Sequence, residues 1–199
     1  MYPLIETIKC DNGILFNREF HQARFENAQK EYFKIHPEIN LFKCIEIPDF
    51  ARTGLFRCRV TYTEKIEKIE FFPHQFREIK SLKLVEDNSI DYRFKYAGRE
   101  KLTQLYEKKG ICDDILIIKN GCITDTFTAN TVFFDGEKWW TPDTPLLPGT
   151  KRARLLNEKK IFECKITLRD ISKYEKAGLI NAMQDLENMP VIIAQNIRL

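Results

Sequence analysis

A lysine between two aromatic residues is the first candidate for chemistry in this chain. Lys95 lies between Phe94 and Tyr96, in a segment that we predict to be a strand. A strand lysine packed among aromatic rings loses contact with water, which lowers its pKa and exposes a nucleophilic amine. Lys95 is therefore a candidate for covalent bonding to an aldehyde. The alternative, commoner among lysines, is a side chain that lies along apolar surface with its ammonium in water.

An acidic residue in a tract of hydroxyls follows thirty positions after the lysine. Asp125 stands close to Thr126 and Thr128, between two predicted strands. A pyridinium nitrogen needs a carboxylate partner, because the carboxylate keeps the ring protonated and able to take up electrons. The alternative is a turn aspartate that bonds its own backbone, an arrangement in which both threonines would fit equally well.

A glycine turn at the start of a helix is a candidate phosphate site. Gly149 and Thr150 open the predicted helix 151–160. The first N–H groups of a helix and the helix dipole favour an anion at this position. Lys151 and Arg152 add positive charge beside it.

An arginine near the start of the chain is a second candidate for binding a phosphate. Arg24 lies three residues after His21, so both fall on roughly one face of the predicted helix 19–34. A guanidinium fork matches a phosphate group well. For Arg24 the alternative is a salt bridge with an acidic neighbour, and for His21 we expect a packed or hydrogen-bonded side chain. Together the lysine, the acid, the glycine turn and the arginine fit one cofactor with an aldehyde, a pyridine nitrogen and a phosphate, namely pyridoxal phosphate.

The predicted elements that position these residues form two small α/β units. We expect the fold class to be α+β, with the cofactor cleft between the units. Residues 1–87 are predicted to form a small N-terminal α+β unit, and residues 88–199 the cofactor-binding α/β unit. Alternating apolar residues indicate strands, and apolar residues at helical spacing indicate helices. The predicted strands are 4–10, 14–16, 56–62, 66–72, 81–85, 115–118, 131–134, 163–168, 179–183 and 191–193, and the predicted helices are 19–34, 99–109, 151–160 and a short one capped by Asp170.

Composition narrows the classes of protein and partner. The 43% of hydrophobic and 31% of charged residues are typical of a globular protein. The net charge of +3 is spread along the chain, which argues against nucleic-acid binding. No apolar run approaches the roughly 20 residues of a membrane span. The six cysteines match no zinc pattern, so we expect no metal site. Because the chain is large enough to fold without disulfides and we recognise no signal peptide, we expect a cytoplasmic protein whose cysteines are reduced.

The order and spacing of the candidate residues resemble those of the class IV aminotransferase family. Its members are pyridoxal-phosphate enzymes of fold type IV and include branched-chain aminotransferases, D-amino-acid aminotransferases and 4-amino-4-deoxychorismate lyase. The resemblance implies a D-amino-acid aminotransferase-like fold, pyridoxal phosphate as cofactor, and a homodimer with each site near the interface. It runs through Glu6-Thr7-Ile8, His21 with Arg24, Lys95, Thr124-Asp125, Asn130-Thr131-Val132-Phe133 and the segment 147–152.

Three matching positions have chemical roles in that family. Lys95 matches the catalytic lysine that forms a Schiff base with the cofactor. Asp125 matches the acidic residue beneath the pyridine nitrogen, and Arg24 matches the arginine that binds the phosphate.

Four further positions match residues around the cofactor. Gly149 and Thr150 match the loop whose backbone amides bind the phosphate. Thr128 falls where the family has a hydroxyl near the cofactor ring. Asn130 matches the asparagine that follows the acidic residue by five positions.

The chain departs from the family pattern at three points. The acidic residue is usually glutamate, and Asp125 is shorter by one methylene group. The phosphate loop commonly has a threonine where this chain has Lys151. The chain starts near the Glu-Thr-Ile strand, and the segment between Arg24 and Lys95 is abbreviated.

The expected activity is that of 4-amino-4-deoxychorismate lyase, which releases pyruvate and leaves 4-aminobenzoate. The shortened N-terminal unit favours this activity over the first alternative, an aminotransferase that acts on branched-chain or D-amino acids. Either enzyme takes a small-molecule amine substrate with a carboxylate, for which Arg57, Arg59 and Arg99 are candidate ligands. The second alternative is a non-catalytic member that binds the cofactor without turnover or serves as a binding module.

Overall fold

The structure, a computed structural model, describes residues 1–198. These residues form two compact units. The first unit comprises residues 1–76 and 94–98, and the second comprises residues 77–93 together with the described chain from residue 99 onward. The predicted boundary between residues 87 and 88 falls inside the segment 77–93, which packs with the second unit. Each unit combines a β-sheet with helices, so the expected α+β class is confirmed.

The first unit is built on a four-stranded antiparallel sheet and one α-helix. The strands lie in the order second, first, third, fourth along the chain. The turn between the first two strands has positive φ angles at Asn12 and Gly13, as the Asp-Asn-Gly pattern predicts. The elements are β1 (Leu4–Asp11), β2 (Ile14–Leu15), α1 (Arg18–Ala28), β3 (Leu55–Tyr62) and β4 (Ile66–Pro73).

One face of this sheet packs against α1. Phe25 from the helix lies against Tyr62 from β3, with ring centroids 4.7 Å apart, and both side chains are buried. Leu4 and Ile8 of β1 belong to the same core, because residues two apart on a strand share a face. The predicted helix 19–34 is confirmed in outline, although its last turn is a π-helix.

The second unit contains a nine-stranded mixed sheet within the described residues. Leu116, Ile118 and Phe133 lie at the centre of its core. The elements are β5 (Leu82–Glu86), α2 (Glu100–Tyr106), β6 (Asp114–Lys119), β7 (Cys122–Thr126), β8 (Asn130–Phe134), β9 (Trp139–Pro142), α3 (Thr150–Asn157), β10 (Phe162–Cys164), β11 (Lys176–Ile180), β12 (Val191–Ile193) and β13 (Ile197–Arg198).

The strand order of this sheet places β7 and β8 at its middle. The order is β10-β9-β8-β7-β6-β5-β13, and β11 with its partner β12 also pairs to β8. The pairs β5–β6, β5–β13 and β9–β10 are parallel, while the pairs of β7 and β8 are antiparallel. Candidate residues on β7 and β8 therefore lie on rigid, internal strands.

Three local predictions were wrong. Asp125 was expected between strands, but it lies within β7, because the pairing of β7 to β6 and β8 overrides the low strand propensity of aspartate. Lys95 was expected in a strand, but its segment makes only an isolated bridge to β1. Asp170 was expected to cap a helix; the cap is Thr167, and Asp170 completes a capping box from the third helical position.

All six cysteines are free thiols. Across residues 1–198, none of the helices combines the length and the apolar character that crossing a membrane requires.

Candidate active site

Lys95 belongs to the first unit, where its segment runs beside the start of β1. The backbone N–H of Ile5 donates a hydrogen bond to the carbonyl of Lys95 at 2.8 Å. The rings of Phe94 and Tyr96 pack on Tyr32, with centroids 5.1 and 5.7 Å from it. The two aromatic neighbours thus anchor the backbone that carries the half-buried amine.

Arg24 of the first unit forms an ion pair with a buried carboxylate. Its Nε and Nη2 donate to Glu6 Oε1 at 2.8 Å and Oε2 at 2.6 Å. His21 Nδ1 lies 2.6 Å from the same Oε2 atom. Burial by itself raises the pKa of Glu6, but Arg24 and His21 together bring it down to about 2. The salt-bridge alternative for Arg24 and the hydrogen-bonded histidine are therefore both observed, while the phosphate contact stays a prediction.

Glu6 is the residue that sequence reasoning missed. In the sequence Glu6 stands only as part of the Glu-Thr-Ile motif of the family, with no chemical role assigned to it. The pattern that could have identified Glu6 is the inward face of β1, where this one charged residue stands between Leu4 and Ile8. A charge in an apolar alternation predicts a buried partner of opposite charge.

Asp125 of the second unit is buried with both carboxylate oxygens hydrogen-bonded. Asn130 Nδ2 donates to Oδ1, and the backbone N–H of Leu147 donates to Oδ2, each at 2.9 Å. Burial raises the pKa of Asp125 to about 6, against these hydrogen bonds and the charge of Arg152, which lower it. The carboxyl is oriented by its neighbours and titrates near neutral pH.

Asn130 joins the acid to the loop that opens α3. Its Nδ2 donates to Asp125 and also to the carbonyl of Leu147, at 2.9 Å. A Cβ added to Gly149 would lie 1.9 Å from Asn130 Oδ1, so glycine is required by space at this position. The structure therefore brings Asp125, Asn130 and Gly149 together, next to the buried Thr150, and their contacts to the cofactor stay predictions.

We expect Gly149→Ala to destabilise the protein by about 1–3 kcal/mol, because the new methyl group displaces Asn130 from its two hydrogen bonds. Denaturant unfolding of the cofactor-free protein measures the change. The matched control is Gly121→Asn, at a turn with φ of 74° and no atom near the added Cβ, where asparagine tolerates the backbone. Equal stability of the two variants would contradict the packing of Gly149 on Asn130.

Lys151 and Arg152 both pair with carboxylates inside the second unit. Lys151 Nζ lies 2.6 Å from Asp185 Oδ2. Arg152 Nη2 bonds Glu163 and donates to the carbonyl of Pro142 at 2.9 Å. Both cations are buried, so their charge near the helix start is largely balanced by these partners.

Thr128 lies on an exposed turn after β7. The turn is closed by a hydrogen bond from the Thr126 backbone N–H to the carbonyl of Ala129 at 2.9 Å. Thr128 itself is exposed, unlike Asp125 and Asn130 at either end of the hairpin. Its hydroxyl is not part of the cluster around the acid, and its predicted cofactor contact stays a prediction.

The candidate carboxylate ligands differ in their surroundings. Arg57 is exposed and lies over the ring of Phe72. Arg59 and Arg99 each have a buried Nε without a hydrogen-bond acceptor among residues 1–198. Arg99 also lies 4.2 Å from the centroid of the Phe127 ring. Buried unpaired donors are uncommon, so these two arginines are suited to an anionic ligand.

A cavity of about 500 Å³ lies within the second unit. Its wall includes Thr124 and Leu146, which are adjacent in sequence to Asp125 and to its partner Leu147. The ion pair between Arg93 and Asp91 also contributes to the wall. The remaining lining residues are Ser89, Ile90, Tyr92, Lys119, Asn120, Cys122, Thr144 and Pro145.

Comparisons with known proteins point to one family. The model of the family described as amino-transferase class IV matches residues 92–191. A Haemophilus influenzae (strain Rd) protein, itself uncharacterized, is 41% identical over 188 residues that cover 94% of this chain and all of that protein. These matches confirm the resemblance inferred from the sequence.

Solved structures agree with the expected fold. A Haemophilus somnus 129PT crystal structure, provisionally assigned as a 4-amino-4-deoxychorismate lyase, is 37% identical with a TM-score of 0.88, covering 94% of this chain and 98% of that chain. The branched-chain amino acid aminotransferase of Escherichia coli has a TM-score of 0.72 at 13% identity, covering 98% of this chain and 76% of that chain. The fold type IV architecture is thus confirmed.

Proposed function

Because the chain belongs to the class IV aminotransferase family, whose members use pyridoxal phosphate, we propose that it is a pyridoxal-phosphate enzyme with 4-amino-4-deoxychorismate lyase activity. The observation that carries the substrate assignment is the 37% identity, over nearly all of both chains, to the Haemophilus somnus protein with that provisional assignment. The E. coli aminotransferase, at 13% identity, supports the fold alone. Transamination is the second candidate reaction.

Each unit, taken by itself, contains residues that fit one part of the cofactor. The first unit contributes the amine of Lys95 and the guanidinium of Arg24. The second unit contributes the acid of Asp125 and the start of α3 at Gly149 and Thr150. The donor set thus contains one group for each part of the cofactor: an amine for the aldehyde, an acid for the ring nitrogen, and amides with a cation for the phosphate.

Lys95 is the catalytic residue in this proposal. When bound, pyridoxal phosphate supplies an aldehyde that condenses with amines and a pyridinium ring that takes up an electron pair. Lys95 Nζ would hold that aldehyde. Once the amine of the substrate has taken its place there, the free neutral amine of Lys95 would take the proton from the substrate carbon that bears the amino group. The backbone hydrogen bond from Ile5 fixes the main chain at Lys95.

Asp125 would keep a proton on the ring nitrogen of the cofactor. A pyridinium beside the carboxyl would lower its pKa from about 6, because an opposite charge favours the ionised form. Asn130 and Leu147 each use one lone pair of the two oxygens, and a carboxylate has about four acceptor positions. Asp125 therefore keeps acceptor capacity for the ring while its plane is fixed.

The lyase reaction needs no second substrate. Loss of the proton from the amino-bearing carbon and cleavage of the neighbouring carbon–oxygen bond release pyruvate and leave aromatic 4-aminobenzoate. The substrate has two carboxylates, for which the unpaired donors of Arg59 and Arg99 are the candidate partners.

We expect the purified protein with pyridoxal phosphate to release pyruvate and 4-aminobenzoate in equal amounts from 4-amino-4-deoxychorismate, without any added keto acid. Chromatography for the aromatic product and a coupled dehydrogenase assay for pyruvate measure both products. Adding 2-oxoglutarate should leave the rate unchanged. Stoichiometric conversion of the cofactor to its pyridoxamine form by a common amino acid alone would reject the lyase in favour of the aminotransferase.

The proposal includes a homodimer as the assembly and a small-molecule amine as the partner, both taken from the family. Light scattering coupled to size-exclusion chromatography measures the assembly directly. If the active protein has the mass of one chain, 23.6 kDa, the dimer is excluded. The proposed lyase reaction would not be affected by that result.

A further inference from the structure

A fully buried carboxylate on β1 has no part in the proposed reaction. Glu6 has no exposed surface, and it shares its strand face with Leu4 and Ile8 in the core of the first unit. Replacing a buried ion pair by apolar residues of similar volume is often neutral or stabilising. Stability therefore gives little reason for a charge at this position, and a role in orienting another group is the better explanation.

The ion pair with Arg24 fixes the plane of the guanidinium. The two bonds, Nε to Oε1 at 2.8 Å and Nη2 to Oε2 at 2.6 Å, are parallel and use one edge of the guanidinium. Since the guanidinium is rigid and planar, binding one edge also sets the direction of the opposite edge. A single hydrogen bond would leave the plane free to rotate.

His21 in turn holds the carboxylate. Burial lowers the pKa of His21, and the positive charges of Arg24 and Lys95 act in the same direction against the effect of Glu6. The ring is therefore neutral at neutral pH and donates its Nδ1–H to Glu6 Oε2 at 2.6 Å, since the ionised carboxylate only accepts. Because His21 and Arg24 are both on α1, the carboxylate is held by two groups from one rigid helix.

We propose that Glu6, locked by His21, is a positioning residue that orients the Arg24 guanidinium toward the phosphate of the cofactor. This inference rests on the proposed function, since it needs a phosphate-bearing ligand at Arg24. Glu6 touches neither the cofactor nor the substrate, and it acts only through the arginine.

The test compares pyridoxal phosphate with pyridoxal, which has the aldehyde and ring but no phosphate. Dissociation constants for both are measured from the visible absorption band of the protein. Glu6→Gln should raise the dissociation constant for pyridoxal phosphate by about tenfold, an effect typical of losing a residue that orients a ligand-binding group. The dissociation constant for pyridoxal should stay unchanged. The ratio of the two constants is the readout, and a merely structural role would not change it.

The matched control is Asp49→Asn, which removes the carboxylate from an exposed ion pair with Arg52 in the same unit. This variant should keep the ratio of the natural protein. Glu6→Asp provides a second variant if Glu6→Gln fails to fold. It retains the charge but cannot reach both nitrogens from the same backbone, so the dissociation constant for pyridoxal phosphate should still rise relative to that for pyridoxal.

Two outcomes would overturn the inference: an unchanged ratio in both Glu6 variants, or an equal loss of affinity for the two ligands. Neither outcome would reject the proposed function, because the natural protein would still bind pyridoxal phosphate covalently. Failure of the natural protein to bind pyridoxal phosphate would reject the proposed function and this inference together.

Discussion

Lys95→Ala is expected to form no covalent adduct with pyridoxal phosphate and to lose at least about 10³-fold in turnover. Alanine has no amine to bind the aldehyde or to move the substrate proton. The fold should survive, because the segment is held by the backbone bond from Ile5 and by the rings of Phe94 and Tyr96 on Tyr32.

The measurement is the visible spectrum of the natural protein and the variant with pyridoxal phosphate, before and after borohydride. A yellow band that borohydride fixes to the natural protein, and that Lys95→Ala lacks, would establish the role of Lys95. Lys68→Ala, which removes an exposed lysine paired with Glu70, is the matched control and should behave as the natural protein does. No adduct in the natural protein would remove the enzymatic proposal and place the binding-module alternative first.

Asp125→Asn is expected to keep the covalent adduct but to lose about 10²–10³-fold in turnover. The amide has no negative charge, so the ring nitrogen loses the partner that keeps its proton. Single-turnover kinetics with 4-amino-4-deoxychorismate separate this effect from binding. Asp135→Asn, a change at an exposed turn carboxylate of the same unit, should leave the rate unaltered. Full activity of Asp125→Asn would exclude Asp125 as the ring partner.

The same variant has a pH signature in the cofactor-free protein. The folded-state pKa of Asp125, about 6, lies above that of an unfolded aspartate, about 3.9. The group therefore contributes stability that is fully present below the unfolded pKa and is lost as pH rises through the folded pKa. The loss amounts to about 2–3 kcal/mol of unfolding free energy. Denaturant unfolding from pH 4 to 7 should show this dependence in the natural protein and a flatter curve in Asp125→Asn.

The candidate residues could be found from the sequence because the pattern of the family is linear. The spacing from Lys95 to Asp125, Asn130, Gly149 and Thr150 is a property of the chain. The structure brings Asp125, Asn130 and Gly149 together in the second unit, whereas Lys95 belongs to the first. What spacing cannot predict is the pKa of Asp125, because burial and charge depend on residues distant in the chain.

Local backbone chemistry was also predictable from the sequence. The turns at Asn12-Gly13 and Asn120-Gly121 have the positive φ angles that these pairs favour. Turn residues, alternation and helical spacing involve only a few neighbouring residues. Among residues 1–198 they identified most strands and all three α-helices before any tertiary contact was known.

The sequence by itself therefore determined the chemical inventory, the family and most of the elements, since these depend on residue order and short-range geometry. Tertiary structure decided which charges meet. It placed Asp125 inside β7, paired Lys151 with Asp185 and buried Glu6 between His21 and Arg24. Each of these contacts joins residues from different elements, and only the packing of strand on helix or loop brings them within hydrogen-bonding distance.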